Sequence, residues 1–402
     1  MKEPKIRFKG FQGEWEIDKI GNFSTSFSGG TPNAGVSAYY GGNIPFIRSG
    51  EIHEDKTELS LTEEGYNNSS AKIVERGTLL YALYGATSGD VAISKIRGAI
   101  NQAILAITPY RTVETDFLAD FLLCNKYKIV GELLQGGQGN LSGSLVKDIN
   151  VAYPCISEQQ SIASYFQHLD SLIQSTTKKI ESLKQVKAAS LQSMFPQEGE
   201  TTPRVRFKGF EGEWSICPLK YFAKKSTEKN ISMDYTITLT NSAEYGVINQ
   251  RDFFDHDISN DDHINGYYVI HHDDFVYNPR VSTAAPVGPI SRNRLGYSGV
   301  MSPLYLIFRV NGINKDFLSY YFKTTLWHNY MKLEGNTGAR FDRLAISDEQ
   351  FFNMPIYYPK DEEEQTAIAS YFTNLDRQIT LHTQRLEKLK QIKSACLDNM
   401  FV

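Results

Sequence analysis

Apolar residues recur every three or four positions in two long segments, residues 158–195 and 364–401. A spacing near 3.5 residues puts these side chains on one face of a helix and is typical of a coiled coil. The first stripe comprises Ile162, Phe166, Leu169, Ile173, Thr176, Ile180, Leu183, Val186, Ser190 and Met194. The second comprises Ile368, Phe372, Leu375, Ile379, His382, Leu386, Leu389, Ile392, Cys396 and Met400. Neither segment contains Gly or Pro, so each predicts one continuous helix.

The two predicted helices are copies of one another. They align without gaps, and 20 of 38 positions are identical. A helix of that length spans about 57 Å. We expect the two stripes to bury each other, although each could also pack on its own domain.

A second duplicated segment precedes each variable region. Residues 7–15, RFKGFQGEW, return as residues 206–214, RFKGFEGEW, with eight of nine positions identical. The regions that follow these boxes, residues 16–150 and 215–355, share little beyond their size. The chain therefore alternates between variable and constant parts, as a duplicated frame carrying two unlike inserts would.

Both variable regions predict an α/β (α+β) fold. Short apolar runs rich in β-branched and aromatic residues, bounded by Gly, Pro or Asn, indicate strands, and longer amphipathic runs indicate helices. In the first region we expect strands at 77–84, 90–94 and 101–108, a helix at 116–134 and a flexible loop at 136–143. In the second we expect strands at 274–281 and 299–308, a helix at 315–333 and a flexible loop at 335–340.

Charge is unevenly distributed along a chain whose formal net charge is −4. Residues 275–344 contain nine Lys or Arg against three Asp or Glu, whereas residues 252–262 contain five Asp and no Lys or Arg. A local excess of cations suits contact with phosphates even when the net charge is negative. The four cysteines are scattered and no apolar segment resembles a membrane span or a secretion signal, so we expect a cytoplasmic protein.

Several polar residues are candidates for contact with DNA. Arg, Lys, Asn and Gln side chains held on a rigid frame can read base edges or bind phosphates. In the first variable region the candidates are Arg48, Lys95, Arg97, Gln102, Gln138 and Asn140. In the second they are Arg280, Arg292, Arg294, Asn336 and Arg340. Each of these residues, taken alone, is more often an ordinary surface polar group.

Sequence patterns of catalytic sites are missing. The chain has no phosphate-binding loop of the G-x-x-x-x-G-K-[ST] form, no Pro-Asp dipeptide and no H-E-x-x-H segment. Asn278-Pro279 begins like an aminomethyltransferase motif but lacks its second Pro and its aromatic residue, so we interpret it as a turn. Residues 271–274, HHDD, are consecutive and would point to alternating faces of a strand, so we predict a polar turn and no metal site.

The duplicated segments resemble those of the specificity subunits of type I restriction–modification enzymes. The resemblance rests on the following features: W-x-x-x-x-[IL] at 15–20 and 214–219, GGTP at 29–32, GTLLY…YGATSG at 77–89, NQ at 101–102, and P-x(3,4)-E-Q-x-x-I-A at 154–163 and 359–369. It covers essentially the whole chain, although the second variable region lacks the GGTP and GATSG forms.

This resemblance implies two target-recognition domains, each reading half of a bipartite DNA site, and an antiparallel coiled coil that sets the spacer between the halves. It implies internal pseudo-twofold symmetry, with recognition domains at residues 1–155 and 206–360, coiled-coil helices at 156–196 and 361–402, and a linker at 197–205. The coiled-coil interface would consist of Ile162, Phe166, Leu169, Ile173, Ile180, Leu183, Ile368, Phe372, Leu375, Ile379, Leu386 and Leu389.

The partners implied by the resemblance are double-stranded DNA, two methylation subunits and two restriction subunits. S-adenosylmethionine, ATP and Mg²⁺ would bind those subunits, so this chain would hold no cofactor and would not itself be an enzyme. Two alternatives stay open from the sequence: a coiled-coil scaffold with no DNA role, and a cryptic methyltransferase or nuclease.

Overall fold

The computed structural model describes residues 3–133, 140–253, 261–336 and 342–402. The chain forms two compact units: unit 1 consists of Met1–Thr177 and Gln384–Val402, and unit 2 of Lys178–Thr383. The boundaries follow Thr177 and Thr383, which are equivalent positions of the duplicated helices. Each unit therefore contains one variable region, part of the first long helix and part of the second.

Unit 1 begins with the first duplicated box and continues into a mixed set of strands and helices. Its strands are β1 Glu16–Lys19, β2 Ser24–Ser28, β3 Tyr40–Ile47, β4 Leu59–Leu61, β5 Lys72–Val74, β6 Leu79–Ala82, β7 Val91–Ile93, β8 Gly98–Ile100, β9 Ile104–Pro109 and β10 Asn150–Tyr153. Its helices are α1 Ile20–Phe23, α2 Glu63–Asn67, α3 Thr115–Cys124, α4 Lys126–Leu133, α5 Gly143–Lys147 and the first part of α6 Ile156–Ser193.

Unit 2 repeats this plan from the second duplicated box onward. Its strands are β11 Ser215–Pro218, β12 Ala223–Lys225, β13 Leu239–Ser242, β14 Gly246–Asn249, β15 Tyr268–Ile270, β16 Phe275–Tyr277, β17 Ile290–Arg292, β18 Gly299–Met301, β19 Leu306–Val310 and β20 Pro355–Tyr358. Its helices are α7 Gln250–Phe253, α8 Lys315–Tyr321, α9 His328–Glu334, α10 Asp348–Phe352 and the first part of α11 Glu362–Met400.

Each unit contains its own copy of one four-stranded sheet. Unit 1 contains a four-stranded antiparallel sheet in the order β2-β9-β6-β7, and unit 2 contains its counterpart in the order β12-β19-β16-β17. The pair β1-β10 in unit 1 likewise matches β11-β20 in unit 2. The mixed fold expected for both variable regions is confirmed, with strands, helices and sheet order repeated in sequence.

The units differ in the strands outside this duplicated sheet. Unit 1 adds a four-stranded sheet, β4-β3-β8-β5, in which β3 and β8 run parallel. Among its described residues, unit 2 has two separate antiparallel pairs there, β13-β14 and β15-β18. Low similarity between the variable regions therefore reflects different additions to a common core.

The two long helices form as the periodicity predicts. Helix α6 covers 38 residues and helix α11 covers 39, each beginning two residues before the predicted segment. Three Glu residues lie in the first turn of α11, where carboxylates favour the positive end of the helix dipole. Within the part of the chain that the structure describes, no helix combines the length and the hydropathy needed for a membrane span.

In unit 1 the start of α6 packs against the end of α11. The rings of Phe166 and Phe401 stack with centroids 5.9 Å apart, and Lys393 Nζ donates to Asp170 Oδ1 at 2.5 Å. Residue numbers rise along α6 as they fall along α11, so the helices are antiparallel. This contact confirms the predicted antiparallel pairing within unit 1.

Unit 2 contains the reciprocal contact between the end of α6 and the start of α11. The ring centroids of Phe195 and Phe372 are 6.1 Å apart, and Lys187 donates to Asp376. Asp170 and Asp376 are equivalent positions of the repeat, as are Lys187 and Lys393. Each helix thus offers an Asp near its start and a Lys near its end, and the same pair forms in each unit.

Most of the predicted stripe is buried. The buried members are Ile162, Phe166, Leu169, Thr176, Ile180, Leu183, Met194, Ile368, Phe372, Leu375 and Met400. The partly buried members are Ile173, Ser190, Ile379, His382, Leu386, Leu389 and Cys396. Val186 and Ile392, equivalent positions of the repeat, are 43% and 45% exposed. The stripe was wrong for these two, because a helix drifts by about 20° per heptad from a strict 3.5-residue repeat.

Three shorter elements differ from the predicted ones. The helix expected at 116–134 is two helices, α3 and α4, separated at Asn125, whose side-chain amide donates to the Phe121 carbonyl. The helix expected at 315–333 is also two, α8 and α9. The strand expected at 299–308 divides into β18 and β19, because residues 302–305 form a turn that includes Pro303.

Candidate nucleic-acid interface

In unit 1 the GGTP segment, residues 29–32, meets the NQ dipeptide, residues 101–102, just after β8. A Cβ atom on Gly29 would lie 1.8 Å from the Ile100 carbonyl oxygen, so only glycine fits beside β8. This close approach brings Thr31 to Gln102, and the Thr31 hydroxyl donates to Gln102 Oε1. Gln102 is exposed, so its amide group is held at the surface by a neighbour. Thr31 is a supporting residue that the sequence did not single out, although it lies in the GGTP segment.

Arg48 follows β3 and is held by two carboxylates. Its Nε donates to Glu51 Oε2 at 2.9 Å, and its Nη2 donates to Glu58 Oε2 at 2.5 Å. Hydrogen bonds from the Glu51 and Glu58 carboxylates raise the pKa of Arg48. The guanidinium is therefore fixed in place and its charge is compensated within the unit.

The other two cations singled out in unit 1 have single partners. Lys95 Nζ donates to the His53 carbonyl at 2.5 Å, and Arg97 Nε donates to Glu75 at 3.0 Å. The Arg97–Glu75 pair is largely exposed on both sides. Surface pairs of this kind contribute about 0–1 kcal/mol, so Arg97 can exchange Glu75 for a phosphate at little cost.

In unit 2 Arg292 and Arg294 lie at the end of β17 and share a carboxylate. Arg292 contacts Asp273 at 2.5 Å and Asp316 at 3.1 Å, and Arg294 contacts Asp316 at 2.6 Å. The Arg292 side chain is largely buried, whereas that of Arg294 is 44% exposed. The predicted polar turn at residues 271–274 is confirmed, and Asp273 adopts a positive φ of 72° within it.

Arg280 and Asn336 are brought together by backbone pairing with one segment. Arg280 forms a bridge with Arg343, and Asn336 forms one with Ala345. Arg280 and Asn336 are both exposed. Arg343, the half-buried bridge partner of Arg280, is a cation that we did not predict as a site residue. Only the tertiary pairing identifies it, because nothing in its local sequence distinguishes it.

Three candidates lie in or beside the predicted flexible loops. Asn140 is exposed just before α5. Gln138 and Arg340 lie outside the described residues. Among the residues that the structure describes, no group of three or more His, Cys, Asp or Glu side chains could hold a metal ion.

The duplicated boxes connect each variable region to the long helices. In unit 1 the Arg7 guanidinium donates two hydrogen bonds to the Glu158 carboxylate in a bidentate pair, and both N···O distances are 2.7 Å. Trp15 from the same box packs against Phe401 at the end of α11, with centroids 6.5 Å apart. One short segment therefore contacts the start of α6 and the end of α11.

In unit 2 the equivalent residues make the same two contacts. We call this set, one Arg–Glu pair and one Trp–Phe contact, the helix clamp. Arg206 donates to both Glu364 oxygens at 2.6 and 2.7 Å, and Trp214 packs against Phe195 at 5.8 Å. Glu158 and Glu364 are both fully buried. The sequence marked these boxes only as repeats. Their identity in both copies was the available signal that they hold the frame together.

Family comparison supplies the identity of this frame. A family model described as the type I restriction modification DNA specificity domain matches the chain twice, over residues 12–185 and over residues 213–391. The chain belongs to this family. The expected family membership is confirmed, and each specificity domain joins one variable region to part of a long helix.

Two relatives from Methanocaldococcus jannaschii are type I restriction enzyme specificity subunits. The MjaIX specificity subunit is 30% identical over 184 residues, which covers 43% of this chain and 42% of that relative. The chain thus matches less than half the length of that relative. The MjaVIII specificity subunit is 21% identical over 409 residues, covering 96% of this chain and 91% of that relative.

Two solved structures share the fold of this specificity-domain protein. The S subunit of a type I restriction–modification system from M. genitalium aligns with a TM-score of 0.61 and 13% identity, covering 100% of this chain and 99% of that one. A chain from a structure describing complex assembly and conformational transition of the type I R-M system aligns with a TM-score of 0.52, 13% identity, and coverages of 96% and 97%. At these identities the likeness concerns the fold alone.

Proposed function

We propose that this chain is the DNA-specificity subunit of a type I restriction–modification complex, and that each unit reads one half of a bipartite target. The observation that carries this proposal is the duplication: two units share one sheet order and one helix clamp but carry unlike additions. Equivalent frames can meet a duplex in the same pose, and different surfaces then read different bases. A scaffold without a DNA role would have no use for this difference between the units.

For DNA contact we propose the candidates of the two variable regions, with different roles. Gln102 and Asn140 in unit 1, and Arg280 and Asn336 in unit 2, are exposed polar residues suited to base edges. Lys95 and Arg97 suit phosphates. Arg48, Arg292 and Arg294 would keep one intramolecular carboxylate while contacting DNA. Gln138 and Arg340 stay predictions for the two loops.

The proposed assembly gives this chain no catalytic step. Two methylation subunits and two restriction subunits would bind it, and S-adenosylmethionine, ATP and Mg²⁺ would bind those partners. We propose domain boundaries at residues 1–155, 156–196, 197–205, 206–360 and 361–402. We also propose that the complex acts in the cytoplasm, which the four unpaired cysteines support.

Exchanging one variable region tests the proposal directly. Replacing residues 16–150 by the corresponding region of another specificity subunit should change one half-site and leave the other and the spacer unchanged, because unit 2 and both helices are untouched. Sequencing of methylated adenines in the host genome would measure this. The matched exchange of residues 215–355 should change the opposite half-site. A change in both half-sites after either exchange would refute independent reading.

A further inference from the structure

Unit 2 contains a cavity whose lining includes Arg292 and Arg294, two of the residues proposed above for DNA contact. It has a volume of about 400 Å³ and lies between β14, β17 and the segment that joins α8 to α9. A water molecule occupies about 30 Å³ in the liquid, so the cavity has room for a small hydrated ion. Three cations line it, Arg292, Arg294 and Lys323, together with the hydroxyl-bearing residues Ser291, Ser319 and Thr324.

Among the described residues that line this cavity, three are cations and one, Glu244, is acidic. Each of the three cations has a carboxylate partner outside the lining: Asp273 for Arg292, Asp316 for Arg294 and Asp376 for Lys323. Two further cations, Lys187 and Lys315, contact two of the same carboxylates and do not line the cavity. The carboxylates are therefore shared, and the contact of Lys323, at 3.7 Å, is the longest of those that the lining cations make.

Lys323 is the least well compensated of these cations. Its Nζ is 3.7 Å from Asp376, beyond hydrogen-bond distance, while Lys187 donates to the same carboxylate. The ammonium lies 5.0 Å from the centroid of the Tyr320 ring. Burial, and then the charge of Lys187, lower the pKa of Lys323 to about 8. An anion in the cavity would stabilise the charged form of this lysine.

The equivalent position in unit 1 has the opposite character. Helices α3 and α8 correspond, because the residue before each helix makes the same contact. The backbone N–H of Glu114 donates to Gln159 Oε1, and the backbone N–H of Asn314 donates to Gln365 Oε1. At this correspondence Lys323 is replaced by Leu123, and Tyr320 by Asp120. Lys323 is thus an addition to the common frame and not a requirement of it.

We propose that this cavity of unit 2 binds a phosphoryl oxyanion, held by Lys323, Arg294 and Arg292. Guanidinium and ammonium groups are the usual partners of phosphate oxygens. The oxyanion could belong to the DNA backbone or to a free phosphate compound. Where the phosphate belongs to DNA, this inference rests on the proposed function and deepens it, because it adds Lys323 and a site that requires no reading of bases.

Calorimetry of the full chain with inorganic phosphate at pH 8 tests the proposal. We expect saturable binding to the unmodified chain, and binding about tenfold weaker to Lys323→Met, because a charge-assisted contact is lost. Lys323→Arg keeps the charge and should keep the binding. Lys224→Met is the matched control, because Lys224 is an exposed lysine on β12 of the same unit and does not line the cavity.

Proton uptake provides a second readout that needs no variant. Bound phosphate raises the pKa of Lys323, so binding at pH 8 should take up protons, and the observed enthalpy should vary with the ionisation enthalpy of the buffer. No saturable binding to the unmodified chain would overturn the proposal. Equal affinities of Lys323→Met and Lys224→Met would also overturn it.

A non-cognate duplex distinguishes the two sources of phosphate. If the duplex displaces inorganic phosphate from the cavity, the backbone of DNA is the natural source. If duplex and phosphate bind together, a free phosphate compound is the source. Neither result depends on which bases the chain reads, so this test and the exchange of variable regions can fail separately.

Discussion

At the scale of single residues, position 120 differs sharply from its counterpart in unit 2. Asp120 on α3 faces Lys393 of α11 and Asp170 of α6, and Asp116 and Glu114 lie nearby. Burial raises the pKa of Asp120 to about 8, and Asp170 adds to the shift. In unit 2 the equivalent Tyr320 donates to Asp376 at 2.9 Å. Unit 1 therefore carries a carboxyl group that is protonated more readily when folded than when unfolded.

This raised pKa makes the stability of unit 1 depend on pH. An Asp whose folded pKa exceeds its unfolded value of 3.8 stabilises the folded state below pH 4 and loses that contribution as the pH rises toward 8. Asp120→Asn should therefore raise the melting temperature more at pH 8 than at pH 4. A shift of one pKa unit corresponds to about 1.4 kcal/mol, or roughly 3–6 °C in melting temperature for a unit of this size.

Thermal unfolding followed by circular dichroism at pH 4, 6 and 8 would measure this difference. The control is Asp148→Asn, because Asp148 is an exposed carboxylate whose partner, Lys19, is also at the surface. A gain from Asp120→Asn that is the same at all three pH values would contradict the assigned cause.

The polar residue types of the candidate site could be predicted from sequence more easily than the contacts that each residue makes. Gln102 was predicted as a polar candidate, but its contact with Thr31 depends on β8 and the GGTP segment meeting in space. Arg48 was predicted as a candidate for DNA contact, and the sequence did not indicate that Glu51 and Glu58 bind its guanidinium. The periodicity of a strand says which side chains face outward, and says nothing about which carboxylates will lie beside them.

At the scale of elements, the duplicated boxes act as clamps on the long helices. In each unit an Arg–Glu pair holds the start of one helix and a Trp–Phe contact holds the end of the other. Glu364 is buried, so removing its partner would leave a carboxylate with no compensating charge from Arg206. Breaking a buried pair in this way destabilises a protein by about 3–5 kcal/mol.

Arg206→Met should therefore destabilise unit 2 by about 3 kcal/mol, whereas a surface Arg of the same segment should not matter. Arg204→Met is the matched control, because Arg204 pairs with Glu200 at the protein surface. Urea unfolding of both variants would give the free energies. Adding Glu364→Met to Arg206→Met should restore part of the loss. Similar losses for Arg204→Met and Arg206→Met would contradict the clamp.

The long helices were predictable because their signal is periodic and repeated. The shorter helices were not, because each predicted amphipathic run continued through a position where the chain turns. Asn125 ends α3 with its side chain on the Phe121 carbonyl, a local competition that a hydrophobic pattern does not register. In unit 2 the break between α8 and α9 contains Phe322 and Trp327, which are apolar and so maintain the pattern through the turn.

At the scale of the whole molecule, both long helices pass from one unit into the other at equivalent residues. The contacts that fix their register, Lys393–Asp170 and Lys187–Asp376, lie on either side of that boundary in each helix. If the recognition domains are the reading heads of the proposed function, we expect the residues between these contacts to set the length of DNA between half-sites.

Deleting one heptad from each helix tests this division of labour. Removing residues 175–181 and 381–387 keeps the heptad phase and all four ion-pair residues, and shortens each helix by about 10 Å, the rise of roughly three base pairs. The methylated target should keep both half-sites and gain a shorter spacer, measured by sequencing methylated adenines. Deleting residues 175–181 alone is the control. It leaves the helices unequal, so the Lys–Asp contacts cannot both form and methylation should fall. Altered half-sites with an unchanged spacer would rule out the helices as the element that sets the spacing.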